Sequence, residues 1–388
     1  MPPRTTSRRV TNPFRYGDLA LDEAFTDRDR EIAELKSDIQ NGQNVVIFAP
    51  RRYGKSSLMW RVEHELVAEG DVLIAQVNLM KTPTKEQLAE RLAKSIYEDI
   101  ASTGFRAKER LRVFRGLRVT PTITIDPEDG SPTFGFAAGS QREDIDATLE
   151  RLLELPGQLA ADRQTRAALV FDEFQQIVDI DPELPDLMRS IFQEQPEVAH
   201  VYLGSKHSMM EQIFNDENEP FWRSAKRIEL GVIPPAEFAR YIAGRFEVTR
   251  RTIEPEVIER VLAVTRGHPY GTQELCYAIW ELTDEGGTAG GGAFEAGLEH
   301  VLRSENSHFS RIWEKASRAQ RTTLLALARE PLRPMDGAYR LRHRLPAPST
   351  VQKALERLVD DELVAKERPG GYRIAEPFLR EWIVRYGA

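Results

Sequence analysis

The feature of this 388-residue chain that most constrains its fold is a loop that carries glycine, lysine and serine at fixed spacing, Ala49–Ser57. It follows a short apolar run, Val45–Phe48, and precedes a stretch with helical periodicity, Lys55–Glu69. The spacing is that of G-x-x-x-x-G-K-[ST], with alanine in place of the first glycine. Backbone N–H groups in such a loop, and the positive end of the helix that follows, bind phosphate groups. The loop therefore predicts a nucleotide-phosphate site at the end of a buried strand.

The positions of this loop have separate predicted roles. Gly54 lets the backbone approach the phosphates closely, Lys55 reaches the β- and γ-phosphates, and Ser56 supplies a hydroxyl ligand to Mg²⁺. Ala49 is tolerated if its φ is negative and is costly if its φ is positive. The predicted nucleotide-binding residues of the loop are Pro50, Arg51, Arg52, Tyr53, Gly54, Lys55, Ser56 and Ser57.

A second apolar run, Ala167–Phe171, ends in two carboxylates, Asp172 and Glu173. Carboxylates next to a buried strand are costly unless they pair or meet a cation. We expect Asp172 to hold Mg²⁺ together with Ser56, and Glu173 to accept the proton of an attacking water. The alternative is that Asp172 and Glu173 only begin a helix.

Two later residues are candidates for catalysis, and each has a plain alternative. Ser205 follows the predicted strand Val201–Gly204 and either orients the water or the γ-phosphate or belongs to an ordinary turn. Arg223 is placed to neutralise the transition state, in its own subunit or in a neighbouring one, or is simply a solvated loop residue. The predicted catalytic set is Lys55, Glu173, Ser205 and Arg223.

Strands alternate with helices over residues 27–233, which predicts an α/β domain whose parallel sheet is covered on both faces. Within it, 118–138 predicts a β-hairpin with strands Thr122–Ile125 and Thr133–Phe136 and a turn at Asp129-Gly130. The hairpin is either a flap or an edge for strand addition by another chain. Residues 234–305 read as helical, with a glycine-rich loop at 286–292. Residues 306–388 combine helices with two short strands, and residues 1–26 form an N-terminal arm.

The C-terminal part of the chain is basic, while the whole chain has a net charge of −8. From Arg311 onward there are sixteen Lys and Arg against ten Asp and Glu. The pattern predicts a winged helix whose second long helix, near 349–361, begins at Ser349 as N-cap. The winged helix has two alternative interpretations. One is DNA binding through residues 340–373, and the other is protein docking or autoinhibition. The residues expected at DNA are Gln352 and Lys353 for bases and Arg342, Arg344, Arg368 and Arg373 for phosphates.

Composition excludes several other classes of protein. The single cysteine, Cys276, lies in an apolar helical stretch, so disulfides within the chain are excluded and we expect Cys276 in the core. No apolar run approaches the ~20 residues of a membrane helix. We expect a soluble cytoplasmic protein without a membrane partner, and no metal other than Mg²⁺ arriving with nucleotide.

These motifs together resemble the archaeal-type ATPase family, a branch of the STAND and AAA+ P-loop ATPases, over nearly the whole chain. The resemblance rests on Asn12–Gly17, Phe25–Arg28, the phosphate loop, Asp172–Gln175, Gly204–Ser205, Pro220–Arg223 and Gly267–Tyr270. It implies an AAA+-like sheet domain followed by a helical lid and a winged helix. It also implies ATP as the nucleotide, Phe14 and Arg28 on the adenine side, Pro269 at the base and His268 near the nucleotide. His268 is equally expected as a helix cap.

Three functions follow as expectations. The first is a Mg²⁺-dependent ATPase in which ATP bridges the sheet domain and the lid and turnover moves the lid and the winged helix. The second is a DNA-binding regulator. The third is a slow switch that binds ATP or ADP and acts on a protein partner or on a second copy of the chain.

Overall fold

The computed structural model describes residues 11–17, 19, 21, 25–70, 72–102, 114, 122–125, 132–135, 142–331, 333–367 and 370–387. The chain divides into two compact units. The sheet unit comprises Arg28–Arg51 and Lys55–Gly231, and the helical unit comprises Arg52–Gly54, Val232–Ala388 and the N-terminal residues through Asp27. Each unit has its own hydrophobic cluster, and each is described separately below.

The sheet unit is built on five parallel strands, β1 Val45–Phe48, β2 Val72–Asn78, β5 Arg166–Asp172, β6 Val198–Gly204 and β7 Lys226–Glu229. Their order in the sheet is β2-β5-β6-β1-β7. The strands β1 and β6 are buried along their whole length, as expected for a sheet covered on both faces. Because all five strands run in the same direction, the loops after β1 and β5 leave the sheet at the same edge.

The helices of the sheet unit confirm the alternating pattern of the sequence. In α1, Ile32, Leu35 and Ile39 form the buried face, as their spacing predicts. The helix α2 begins at Lys55, directly after the phosphate loop. The bounds are α1 Asp29–Gln40, α2 Lys55–Glu69, α3 Lys85–Ser102, α4 Arg142–Arg163, α5 Ile177–Ile180, α6 Leu184–Phe192 and α7 His207–Asn215.

The predicted hairpin is present as an antiparallel pair, β3 Thr122–Ile125 and β4 Pro132–Gly135. Thr122 pairs with Gly135 and Ile125 with Pro132. The strand β4 begins one residue earlier than the expected Thr133. The predicted turn at Asp129-Gly130 lies outside the described residues.

The first part of the helical unit confirms the expected helices but not an all-helical lid. The glycine-rich segment contains a two-residue strand, β9 Thr288–Ala289, which pairs in parallel with β8 Thr252–Ile253. Thr288 Oγ1 and Thr252 Oγ1 are 2.7 Å apart, so the glycine-rich loop is held against the strand β8. The helices are α8 Pro235–Glu247, α9 Pro255–Thr265, α10 Pro269–Glu281 and α11 Gly291–Ser304.

The winged helix has the predicted helices and the predicted antiparallel wing. The Ser349 cap is wrong: α15 begins at Pro348, whose ring is preset for the first helical turn, and Ala347 is the N-cap without a side-chain hydrogen bond. In the described residues of both units, no helix combines the length and apolarity that a membrane span requires. The elements are α12 Asn306–Lys315, α13 Arg318–Arg329, α14 Gly337–Arg342, α15 Pro348–Asp360, β10 Val364–Glu367, β11 Gly371–Ile374 and α16 Pro377–Tyr386.

Candidate nucleotide site

The phosphate loop has the backbone that its sequence requires. Arg52 and Gly54 have positive φ values of 67° and 87°, whereas Ala49 does not, so alanine at the first motif position causes no backbone strain. The Lys55 ammonium is buried and donates hydrogen bonds to the carbonyl oxygens of Ala49 at 2.8 Å and Pro50 at 3.2 Å. The lysine is thus held inside the curve of the loop, where a phosphate group is expected.

Asp172, the last residue of β5, lies next to the hydroxyl group of Ser56 in the first turn of α2. Ser56 Oγ donates to Asp172 Oδ2 at 3.3 Å, and Asn78 Nδ2 donates to the same oxygen at 3.1 Å. The backbone N–H of Glu173 donates to Asp172 Oδ1 at 3.0 Å. Burial and the Glu173 carboxylate raise the pKa of Asp172, and Lys55 opposes them. A cation is favourable at such a carboxylate, and hydroxyl and carboxylate oxygens are the ligands that Mg²⁺ prefers.

Glu173 projects away from Asp172 towards the end of β6. Its backbone is left-handed, with φ at 56°, and it precedes a 3₁₀ turn, Phe174–Gln176, without capping that turn by its side chain. Ser205 Oγ donates to Glu173 Oε2 at 2.7 Å, and Gln175 Nε2 donates to the same oxygen at 2.5 Å. The contact with Ser205 joins two predicted catalytic residues, while the backbone of Glu173 stands at the start of the 3₁₀ turn.

The other predicted residues of the sheet unit lie elsewhere. Arg223 is exposed, with its guanidinium 4.8 Å from the Trp222 ring centroid. Arg28 is buried, and its Nη2 donates to the Gly231 carbonyl at 2.6 Å while Nη1 pairs with Glu31. Arg28 therefore fixes the two ends of the sheet unit to each other.

Phe14, His268 and Pro269 belong to the helical unit, and so do residues 52–54 of the phosphate loop. Phe14 is almost fully buried, with its ring centroid 5.4 Å from that of Phe246, so it anchors the N-terminal segment in the core of this unit. His268 is the N-cap of α10, and its Nδ1 accepts from the Gly271 N–H at 3.2 Å. Burial, followed by the charge of Arg52, lowers the pKa of His268 to about 3, so the ring is neutral.

Arg52 and Tyr53 make their side-chain contacts with α10 and the start of α16. The Arg52 guanidinium lies 4.3 Å from the Tyr270 ring centroid and 3.9 Å from the Glu376 carboxylate. The ring of Tyr53 packs edge-on against His268, with centroids 4.7 Å apart. Both loop residues therefore contact side chains at the starts of α10 and α16.

The winged helix has an exposed polar face on α15, and two of its predicted phosphate-binding arginines form ion pairs within the chain. Gln352 and Lys353 are exposed on α15, as predicted, and Val351 and Leu355 are buried. Arg342 pairs with Glu330 at 2.8 Å, and Arg373 pairs with Glu367 at 2.8 Å. Arg373 also lines a pocket with Arg266, Arg380, Tyr53 and His268. Arg344 is exposed, and Arg368 lies outside the described residues.

Sequence reasoning missed Asn78 and Glu274 as parts of these sites, and it gave Gln175, the last residue of the motif Asp172–Gln175, no role of its own. Asn78 is an ordinary polar residue in sequence, and only the sheet register brings it to Asp172. The 3₁₀ turn brings Gln175 to Glu173. Glu274 carries a signal, because a carboxylate within the apolar helix α10 is costly. Among the described residues, no group of three or more His, Cys, Asp or Glu side chains is arranged to hold a metal ion.

The phosphate loop follows β1, and the two carboxylates follow β5, which is separated from β1 by the strand β6. The loop and the carboxylates meet through Ser56 and Asp172, and this arrangement defines a P-loop nucleotide-binding protein. Residues 25–273 match the family model of the ATPase domain predominantly from Archaea, and the chain belongs to that family. Residues 307–385 match the model of a probable winged helix domain.

Solved structures share the fold of the chain. The Walker-type ATPase of Pyrococcus abyssi is 16% identical with a TM-score of 0.66, over 94% of this chain and 97% of that one. The ORC2 protein of Aeropyrum pernix, solved as ADPNP–ADP complexes, is 15% identical with a TM-score of 0.54, over 96% and 98% of the two chains. None of the curated protein sequences matches this chain.

Proposed function

We propose that this chain is a Mg²⁺-dependent ATPase that acts as a molecular switch, with a winged helix that binds double-stranded DNA. The observation that carries the ATPase proposal is the hydrogen bond between Ser56 and Asp172, next to Glu173 at the end of the same strand. This pairing unites the loop that binds phosphates with the carboxylates that serve the metal and the water. The family of the chain and the nucleotide complexes of the ORC2 protein support adenine as the base.

The residues of the sheet unit divide the chemistry among them. The Lys55 ammonium exchanges the carbonyl oxygens of Ala49 and Pro50 for phosphate oxygens when ATP binds. Ser56 and Asp172 would hold Mg²⁺, which would neutralise charge on the phosphates. Glu173 accepts a proton from the water that attacks the γ-phosphorus, and Ser205 orients Glu173.

Steady-state ATP hydrolysis tests this assignment. We expect Glu173→Gln to lower kcat by at least about a hundredfold while ATP still binds, because only the proton acceptor is lost. Lys55→Ala should abolish binding of a fluorescent ATP analogue. Glu194→Gln, at an exposed carboxylate, is the control and should match wild type. Turnover by Glu173→Gln at the wild-type rate would refute the catalytic assignment.

We propose that Arg52 and Tyr53 pass the state of the phosphate loop to the lid and the winged helix. The support is their contact with Tyr270, Glu376 and His268. The negative charge of bound phosphates competes with the Glu376 carboxylate for the Arg52 guanidinium. Nucleotide binding at the loop therefore affects the start of α16.

Arg223 is proposed to stabilise the transition state from a neighbouring copy, since its side chain is exposed. Mixing Arg223→Ala with Glu173→Gln tests this proposal, because each variant supplies what the other lacks. Recovery of turnover in the mixture is expected if Arg223 acts between copies. Two inactive variants that stay inactive when mixed point to action within one chain.

A second reading of the winged helix is protein docking or autoinhibition. The observation that favours it is the engagement of Arg342 and Arg373 in ion pairs within the chain. Salt dependence separates the readings, because DNA binding through several phosphates weakens steeply between 50 and 200 mM salt, by roughly a thousandfold or more for six contacts. ATP turnover that rises with duplex DNA at low salt supports the DNA reading, and turnover indifferent to DNA supports docking.

A further inference from the structure

Gln175 lies two residues after Glu173, and none of the roles proposed above uses it. Its side chain is fully buried. Its Nε2 atom is 2.5 Å from Glu173 Oε2 and 3.4 Å from Ser205 Oγ. A buried glutamine is uncommon unless its amide is hydrogen-bonded, and here the acceptor is the carboxylate of the proposed catalytic residue.

The position of Gln175 is fixed by its neighbour in the 3₁₀ turn. Phe174 is fully buried, and its ring centroid lies 4.6 Å from that of Tyr202 on β6 and 5.3 Å from that of Phe221. The turn is therefore anchored to the sheet, and the amide of Gln175 cannot leave Glu173 unless Phe174 moves or its own rotamer changes.

The orientation of the amide is also determined. Gln175 Oε1 is buried and has no hydrogen-bond partner within the described part of the chain. A flipped amide would place this oxygen against the Glu173 carboxylate, which repels it, so the Nε2 donor must face Glu173. Leaving an acceptor unpaired has a cost, and a hydrogen bond to a charged acceptor is about twice as strong as a neutral one and offsets it.

Both donors, Gln175 and Ser205, bind the same oxygen of Glu173. Two bonds to Oε2 restrict rotation of the carboxylate and leave Oε1 as the oxygen that accepts a proton. Such control of a general base is effective because proton transfer requires the acceptor within hydrogen-bond distance of the water.

We infer that Gln175 is a positioning residue for ATP hydrolysis, which holds Glu173 so that its Oε1 faces the attacking water; this inference rests on the proposed function. The water oxygen forms a bond to the γ-phosphorus as the bond between that phosphorus and the ADP oxygen breaks. One water proton moves to Glu173 Oε1, and ADP leaves with the electron pair of the broken bond.

Gln175→Met tests the inference, because methionine keeps the length and bulk of the side chain and removes the donor. We expect kcat to fall about tenfold, the effect of one well-placed hydrogen bond. The KM for Mg-ATP, the Kd for a fluorescent ATP analogue and the melting temperature should stay near wild type. Gln175→Glu, which replaces the donor by a carboxylate, should lose more. Gln176→Met, at the partly exposed next residue, is the control and should match wild type.

A double variant separates positioning from a merely structural role. Because Gln175 acts through Glu173, Gln175→Met should change the residual rate of Glu173→Gln by less than twofold. A further tenfold loss in that background would show a structural effect and overturn the inference. Faster turnover by Gln175→Met alone would also overturn it, since Gln175 would then hold Glu173 in an orientation that is unproductive for hydrolysis.

Failure of the inference is distinct from failure of the proposed function. Wild-type turnover that Gln175→Met leaves unchanged removes the role of Gln175 and keeps the ATPase. If the wild-type chain binds the ATP analogue but hydrolyses no ATP, with or without duplex DNA, the proposed hydrolysis is wrong and the positioning role falls with it.

Discussion

Gly267 occupies a position that only glycine can fill. Its φ is +73°, and a Cβ atom added there would lie 2.4 Å from the backbone oxygen of Ile233. We expect Gly267→Ala to lower the free energy of unfolding of the helical unit by about 2–4 kcal/mol, from left-handed strain and a backbone clash. Urea unfolding measures this change. Gly292→Ala is the matched control, because Gly292 is helical with open space around it, and alanine there should be neutral or slightly stabilising.

Glu274 makes the stability of the helical unit depend on pH. Burial, and then the carboxylate of Glu305, raises the pKa of Glu274 from 4.5 to about 8; Arg52 opposes this shift and Glu376 adds to it. The folded state therefore binds a proton that the unfolded state releases, so the free energy of unfolding falls as pH rises through the range from 4.5 to about 8.

The expected loss across that range is at most about 5 kcal/mol, because each unit of pKa shift corresponds to about 1.4 kcal/mol. Glu274→Gln should flatten the dependence and raise stability at pH 8, which urea midpoints at several pH values would measure. Glu259→Gln, at an exposed carboxylate of α9, should keep the wild-type slope. A wild-type midpoint that rises over the same range would contradict the shift of Glu274.

At the scale of the element, α15 is the helix proposed to contact DNA, and its Lys353 is exposed. We expect Lys353→Ala to weaken binding of duplex DNA and to reduce the slope of log K against log salt by about 1, if Lys353 neutralises one phosphate. Fluorescence anisotropy of a labelled duplex at several salt concentrations measures both. Lys315→Ala, an exposed residue at the end of α12, is the control. Equal effects of the two variants would remove α15 from the interface.

Individual elements show what sequence can and cannot predict here. The run Val45–Phe48 and the helix Lys55–Glu69 have their predicted bounds, because local periodicity and the glycine before Lys55 determine them. The strand Thr288–Ala289 escapes prediction, since two residues between glycines become a strand only by pairing with Thr252 and Ile253. The role of Gln175, which the sequence shows only as the end of a motif, escapes prediction for the same reason: its partner Ser205 is brought close by the sheet.

At the scale of the whole molecule, two compact units with separate hydrophobic clusters predict two unfolding transitions. A ligand stabilises the state that binds it, by about 2.7 kcal/mol at a hundred times its Kd. Mg-ATP should therefore raise the melting temperature of the sheet unit by about 5–10 °C. If Arg52 and Tyr53 couple the loop to the helical unit, the second transition should rise as well.

Tryptophan fluorescence can assign the two transitions. Trp60 and Trp222 lie in the sheet unit, whereas Trp280, Trp313 and Trp382 lie in the helical unit. The variant Trp60→Phe/Trp222→Phe then reports the helical unit alone. We expect Mg-ATP to raise its transition, and Arg52→Ala to cancel that rise while the sheet unit still responds. If Mg-ATP does not change the unfolding transition of the helical unit in the protein with wild-type Arg52, nucleotide binding stabilises the sheet unit only. Nucleotide would then not act on the winged helix through Arg52.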